Sequence, residues 1–174
     1  MKIAIGSDHT GVALKDEIKT YLESRKIAYE DLGTYTTDRC DYPRIAEKVC
    51  KSILAGGADR GILICGTGIG MSIAANKFKG IRAAACSDPF SAIFSKRHNN
   101  ANVLCLGARV IAGGLATLLV EGWVNANFEG ERHQRRVDMI TRLEQRNNVE
   151  PTMHPEAATA PITEEDTHPI QTNL

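Results

Sequence analysis

Five short apolar runs are spaced along the chain: "KIAIG" at 2–6, "IAYEDLG" at 27–33, "GILICG" at 61–66, "IRAAACS" at 81–87 and "NVLCLG" at 102–107. Between and after them lie stretches of helical length: "VALKDEIKTYLESR", "YPRIAEKVCKSILAGG", "MSIAANKF", "FSAIFSKR" and "LATLLVEGWVNANF". Alternation of this kind with short connections builds βαβ units, and βαβ units build a parallel sheet with helices on both faces. The runs at 61–65, 81–86 and 102–106 are continuously apolar, which predicts central strands covered on both sides. A last charged stretch, "EGERHQRRVDMITRLEQRNN", keeps Val137, Ile140 and Leu143 near one face and predicts a C-terminal helix.

A chain of 174 residues, 43% hydrophobic, fits one globular domain. No apolar run approaches the ~20 residues of a membrane span, and "MKIAIGSDH" breaks too early for a signal peptide, so a cytoplasmic protein is expected. Cys40, Cys50, Cys65, Cys86 and Cys105 form an odd set without a CxxC pair, which argues against a disulfide framework. Net charge is zero but unevenly placed. Residues 151–174 hold Glu156, Glu164, Glu165 and Asp166 with no Lys or Arg, so they carry −4 and the remainder +4. Four of the six prolines fall in the same piece, which reads as an extended tail from about 149–174 behind a domain at 1–148. The body has no basic cluster interleaved with aromatics, so a small anion is a better-supported ligand than a nucleic acid.

In an open parallel sheet, ligands bind beyond the carboxyl ends of the strands. There the chain places Ser7-Asp8-His9-Thr10-Gly11, Cys65-Gly66-Thr67-Gly68-Ile69-Gly70, Ser87-Asp88-Pro89 and Gly107-Ala108-Arg109. The glycine loop fails the dinucleotide fingerprint, because Met71 occupies the third glycine position and the loop does not follow the first strand. It also fails the phosphate-loop pattern, since no Lys-Ser or Lys-Thr follows. What remains is a sharp strand-to-helix turn whose exposed amides and helix terminus suit an oxyanion or phosphate. Cys65 stands at its mouth, where a helix N-terminus favours the thiolate; a base or nucleophile and a simple core filler are equally open readings.

His9 and His98 are each readable as ordinary surface histidines or as groups titrating near neutrality. Arg132 and Arg136 lie four apart on the final helix, a like-charge spacing that costs a few tenths of a kcal/mol (~0.2–0.5) unless an anion or a carboxylate such as Glu129 or Asp138 intervenes. Two guanidinium forks on one face suit a phosphate. No HxH, HExxH or Cys/His ligand spacing is present, so no metal is expected.

The segments "GSDHTG" at 6–11, "DYP" at 41–43, "GILICGTGIGMSIAANKFKGIRAA" at 61–84, "HNNANVLCLGARV" at 98–110 and "EGERHQRRV" at 129–137 resemble the ribose-5-phosphate isomerase B family, within the wider ribose/galactose phosphate isomerase group. The match runs in order through nearly all of 1–148. The fold expected is therefore α/β, an open five-stranded Rossmann-like parallel sheet with helices on both faces, plus a C-terminal helix and tail. The resemblance implies an aldose–ketose isomerase of the pentose phosphate pathway, interconverting ribose 5-phosphate and ribulose 5-phosphate through an enediolate without cofactor. It implies Cys65 as base, Thr67 with the amides of Gly66, Gly68, Ile69 and Gly70 as oxyanion donors, and His98 as the ring-opening group. Asp8, Tyr42 and Asn99 would contact the sugar, and His9, Arg109, Arg132 and Arg136 the phosphate. The alternatives are the same chemistry on allose 6-phosphate or galactose 6-phosphate, or a non-catalytic sugar-phosphate-binding subunit. A redox-sensing Cys65 is weaker, for no resolving cysteine lies nearby in sequence.

Geometry adds an expectation. The helix that leads to His98 starts at the carboxyl end of strand four and must run back along the sheet, which puts His98 at the edge opposite Cys65. A homodimer with composite sites is therefore expected, with further pairing of dimers left open. The helix around Leu115, Leu118, Leu119 and Trp123 offers core packing first and interface second.

Overall fold

The computed structural model describes residues 1–146; residues 147–174, and with them the expected tail and its boundary, lie outside the described residues. The elements alternate as the sequence pattern demands: β1 (Lys2–Ser7), α1 (Val12–Ser24), β2 (Ala28–Asp31), α2 (Tyr42–Leu54), β3 (Arg60–Cys65), α3 (Ile69–Ala75), β4 (Ala83–Ala85), α4 (Pro89–Asn99), β5 (Val103–Gly107), α5 (Gly113–Asn125) and α6 (Glu131–Arg146). The five strands form one parallel sheet in the order β2-β1-β3-β5-β4.

The period of two along the strands divides the core into two layers. Ile62 and Ile64 of β3 point with Ile5, Leu104 and Leu106 toward α1 and α5, where Leu14, Ile18, Leu119 and Trp123 are buried. Leu63 and Cys65 point the other way, with Ala4, Val103 and Cys105, toward Ile45 and Val49 of α2 and Met71 of α3. Each large apolar side chain so covered contributes about 1.5–3 kcal/mol. On α5, Leu119 and Trp123 are fully buried while Leu115 and Leu118 are 37% and 50% exposed, so this helix serves the core on one face and leaves the other open.

One expectation is corrected. The apolar run at 81–86 is not a central strand; β4 is the sheet edge, with Ala83 and Ala84 half-buried and Ala85 exposed. Alanine counts as apolar in a sequence pattern yet has little surface to hide, so the run carries no real demand for two covered faces. The open edge is managed locally. The Asn76 side chain lies alongside it, its Nδ2 donating to Ala83 O and its Oδ1 accepting from Ala83 N, both at 2.9 Å. An edge strand otherwise presents unpaired backbone groups as a template for other chains.

A buried lysine ties α1 to the end of β2 and to the segment that follows it. Lys15, 1% exposed, donates from Nζ to Asp31 Oδ1 at 2.7 Å and to Thr34 O at 2.6 Å, and stands 4.7 Å from the Tyr35 ring centre. The segment is also registered on β1: Ser7 N donates to Gly33 O and Thr34 N to Ser7 O, both at 2.6 Å. Thr34 is thereby fixed beside the carboxyl end of β1. None of the described helices is long and apolar enough to cross a membrane.

Candidate active site

The carboxyl ends of β1 and β3 are neighbours in the sheet, so the segments that follow them meet. Asp8, 6% exposed, caps a short 3-10 turn: its Oδ1 accepts from Thr10 N at 2.9 Å and from Thr10 Oγ1 at 2.6 Å. Its own amide donates to Ile64 O at 2.9 Å, which fastens it to the β3 end. His9 follows, and its Nδ1 accepts from Cys40 N at 3.4 Å.

The glycine turn is held by close backbone contacts. Gly68 adopts φ +78°, a left-handed conformation that side chains resist, and packs on the Leu106 backbone. The ring of Tyr42, in the first turn of α2, lies where a Gly70 side chain would be, and the Arg109 side chain reaches over Gly66. Cys65 is 5% exposed, beneath the turn, and its Sγ accepts from Gly68 N at 3.2 Å. Ile69 N donates to Thr67 Oγ1 at 3.3 Å. Two of the turn's amides are thus already engaged within it, which narrows the set of free oxyanion donors expected from the sequence.

Three other cysteines are buried as well: burial pushes Cys50 and Cys86 up to about 11 and Cys105 well above the ordinary thiol range, which disfavours the thiolate at each of them. Beside His9 opens a cavity of about 790 Å³, lined also by Arg39, Arg44 and Lys48, with Asp41 the one carboxylate among the described residues that line it. On the other flank of the turn, Thr67, Ile69, Ser87, Gly107 and Val110 line a cavity of about 320 Å³.

His98, Asn99, Arg132 and Arg136 are elsewhere. α4 starts with Asp88 Oδ1 accepting from Ser91 N at 2.7 Å, then runs back to the amino ends of β4 and β5, where Asn102 N donates to Arg82 O. His98 emerges there, 34% exposed, with its Nε2 3.3 Å from Glu129 Oε2 and its ring stacked on His133 at 4.0 Å. Asn99 lines a nearby cavity with Arg82, Ile140 and Leu143. Arg132 Nε donates to His133 Nε2 at 3.2 Å. Neither carboxylate considered for the arginine pair serves it: Glu129 binds Arg97, and Asp138 accepts from Gln134 at 2.6 Å. Within one chain, Asp8, His9, Tyr42, Cys65, the glycine turn and Arg109 gather at the carboxyl edge; His98, Asn99, Arg132 and Arg136 stand at the opposite edge.

His133 has no assigned part in the sequence reading, and Glu129 enters it only as a carboxylate that could sit between Arg132 and Arg136. Their only sequence signal is the i, i+4 spacing, and the partners Arg97 and His98 are about thirty residues away. Ligand atoms of His98, Glu129 and His133 lie within 4.8 Å of one another, a separation that suits a metal ion. Two of the ligand atoms are, however, already engaged by guanidinium donors: Arg97 Nε reaches Glu129 Oε1 at 2.6 Å and Arg132 Nε the His133 Nε2, which leaves Glu129 Oε2 facing the imidazoles. Desolvation pushes the Glu129 carboxyl up, but the Arg97 hydrogen bond and the surrounding positive charges outweigh it and hold the group below the usual range. Burial, with His98 and Arg132 adding to it, holds His133 below the ordinary imidazole value.

A thiol, a carboxylate and basic side chains around a non-nucleotide glycine turn, on an open parallel sheet, are the equipment for moving protons on a small anionic molecule. The molecule is an α/β enzyme of the isomerase class. A family model described as Ribose/Galactose Isomerase matches residues 3–140. The chain is 52% identical over 147 residues to ribose-5-phosphate isomerase B of Escherichia coli strain K12, covering 84% of this chain and 99% of that one. Its fold is similar to that of Clostridium thermocellum ribose-5-phosphate isomerase B, with TM-score 0.83, 48% identity, and coverage of 84% of this chain and 99% of the other. It is also similar to ribose-5-phosphate isomerase B of Mycoplasma genitalium, solved with bound ribulose-5-phosphate, with TM-score 0.79, 43% identity, and coverage of 83% and 96%. This chain belongs to the ribose/galactose isomerase family.

Proposed function

We propose that the chain interconverts ribose 5-phosphate and ribulose 5-phosphate, as a homodimer in which each site draws on both subunits. The observation that carries this is the identity of 52% to a ribose-5-phosphate isomerase B along its whole length, in a chain that sets Asp8, Cys65 and Thr67 together at the carboxyl edge. The opposite placement of His98 and the arginine helix supports the shared site, because one subunit's amino edge has to supply what its partner's carboxyl edge lacks.

In this reading Cys65 Sγ, as thiolate, takes the proton from C2 of the open-chain aldose and delivers it to C1, while the O2 hydroxyl proton passes to O1 across the cis-enediolate, so that C2–O2 becomes the carbonyl and C1–O1 the alcohol. Thr67 and the turn amides not engaged by Cys65 or Thr67 donate to the enediolate oxygens. Asp8 Oδ1 is occupied by Thr10, which leaves Oδ2 to accept from a sugar hydroxyl. His9 and Arg109 of one subunit, with Arg132 and Arg136 of the other, hold the phosphate and so fix the carbon chain against the thiol. Tyr42 walls the sugar site; Asn99 positions a hydroxyl. His98 opens the furanose before proton transfer begins.

A coupled assay of the purified chain on ribose 5-phosphate, allose 6-phosphate and galactose 6-phosphate tests the substrate. The five-carbon sugar is expected to give the highest kcat/KM, and preference for a six-carbon one would refute the assignment. Cys65→Ala is expected to lower kcat by about 10²–10⁴-fold with phosphate binding retained. Loss of binding with unchanged turnover would contradict its role.

A further inference from the structure

His98 is embedded in a cluster that the isomerisation chemistry above leaves unused. Glu129 is clipped to the end of α4 by its backbone, Glu129 N donating to Arg97 O at 3.0 Å. Its Oε1 accepts from Arg97 Nε at 2.6 Å and also meets Arg97 Nη2. That leaves Oε2 facing two imidazoles, His98 Nε2 at 3.3 Å and His133 Nε2 at 3.6 Å. Only one of them has a proton to give. A guanidinium can only donate, so the contact from Arg132 Nε makes His133 Nε2 an acceptor and puts the His133 proton on Nδ1. Oε2 is therefore left for His98.

We propose that Glu129 is the positioning residue for His98: it accepts the Nε2 proton and so fixes the tautomer in which Nδ1 exchanges a proton with substrate. This rests on the ring-opening role assigned above to His98. In that step Nδ1 takes the proton of the anomeric hydroxyl while the O1–H electron pair forms the C1–O1 double bond. The C1–O4 bond breaks with its pair on O4, and O4 takes the proton back from Nδ1. The Nε2 proton stays in place throughout, and the carboxylate stands beside the ring when it is transiently positive, the same service a triad carboxylate gives its histidine. His133, stacked 10° from parallel and kept neutral by burial and its cationic neighbours, packs against the reacting ring without adding a second charge.

The first test is nitrogen-15 NMR of the imidazole rings in the wild-type protein, with His98 assigned by its loss in His98→Asn. Nε2 is expected to be protonated and Nδ1 bare in the neutral ring; a proton on Nδ1 overturns the proposal without any variant having to fold. The second is a kinetic cycle on ribose 5-phosphate. Glutamine has one acceptor oxygen, which Arg97 claims, and turns an amide N–H toward His98. Glu129→Gln is therefore expected to lower kcat by about 10²-fold with KM within about twofold. Because Glu129 acts through His98, the same substitution is expected to change nothing further in His98→Asn. Independent, multiplying effects overturn the positioning role. A wild-type kcat in His98→Asn overturns something different, the ring-opening assignment itself.

Discussion

Replacing Gly107 with alanine tests whether the glycine turn owes its placement to close approach against β5. A Cβ at 107 would stand 2.8 Å from the carbonyl carbon and oxygen of Thr67 and 2.9 Å from its Cα, all of them backbone atoms with no rotamer to escape into. Ordinary contact begins at 3.4 Å, so the turn has to retreat by about 0.6 Å. Overpacking of this kind costs about 1–3 kcal/mol, which the fold survives. A misplacement of about 1 Å at a reacting group costs about 10²-fold in rate, and scaling the logarithm to 0.6 Å gives roughly a 10- to 20-fold loss of kcat. KM is expected to rise by no more than severalfold: Arg109, a proposed phosphate ligand, lies two residues on and donates from its amide to Gly66 O at 3.0 Å, whereas His9, Arg132 and Arg136 lie on other segments. Steady-state conversion of ribose 5-phosphate, read by ketose formation, and a thermal melt measure both quantities. Gly114→Ala is the matched control: its added methyl meets nothing within 4 Å, so kcat should hold and α5 should gain about 1 kcal/mol of helix preference. Gly107→Ala with wild-type kcat and wild-type melting would refute the claim that β5 sets the turn.

Three further outcomes follow from the geometry. Lys15→Met leaves the Asp31 carboxylate with only the Gly33 amide and Lys19 near it, and is expected to cost about 3 kcal/mol in urea unfolding at pH 7. Desolvation pushes the Asp31 carboxyl up, but the hydrogen bonds from Lys15, Gly33 and Lys19 together pull it below its ordinary value of 3.8; the stability it lends is present above that pH and lost as pH falls, so the gap between variant and wild type should narrow in acid. Burial, then the charges of Arg60 and Arg82, push the Lys96 ammonium down to about 8, so the folded state gives up this proton before the unfolded chain does. Lys96→Met should therefore melt higher than wild type below pH 8, with the advantage shrinking as pH rises from 8 toward 10.5; an advantage that grows over that range would refute the assignment. Mixing inactive Cys65→Ala and His98→Asn proteins should restore part of the activity through hybrid dimers carrying one intact site, and no recovery after verified exchange would argue for self-contained sites.

The five strands, their intervening helices and the glycine turn were legible because each announces itself within a few residues: a run of period two, a stripe of period 3.6, three glycines after a strand. α6 was legible for the same reason, although Ile140 and Leu143, which mark its apolar stripe, are 41% and 55% exposed in the single chain and only Val137 is buried. Strand order was not legible, since an edge strand of alanines looks like a buried one until its neighbours are known. Lys15 gave no hint of burial, for its partner Asp31 is on another element and "ALKDEIK" reads as a solvated helical face. His133, and the pairing of Glu129 with Arg97 and His98 rather than with the arginine pair, were missed because they depend on α4 arriving beside them, a long-range contact with no local signature. Separation of Cys65 from His98, by contrast, followed from helix direction alone.

Asn76 lends β4 the pair of hydrogen bonds that a sixth strand would have offered. Copies of this chain are thereby denied a seam along which they could splice their backbones into an ever-longer ribbon from this side. Strand-to-strand pairing along this edge is disfavoured. Substituting a residue without that amide would reopen the seam, and its penalty would be read in light scattering.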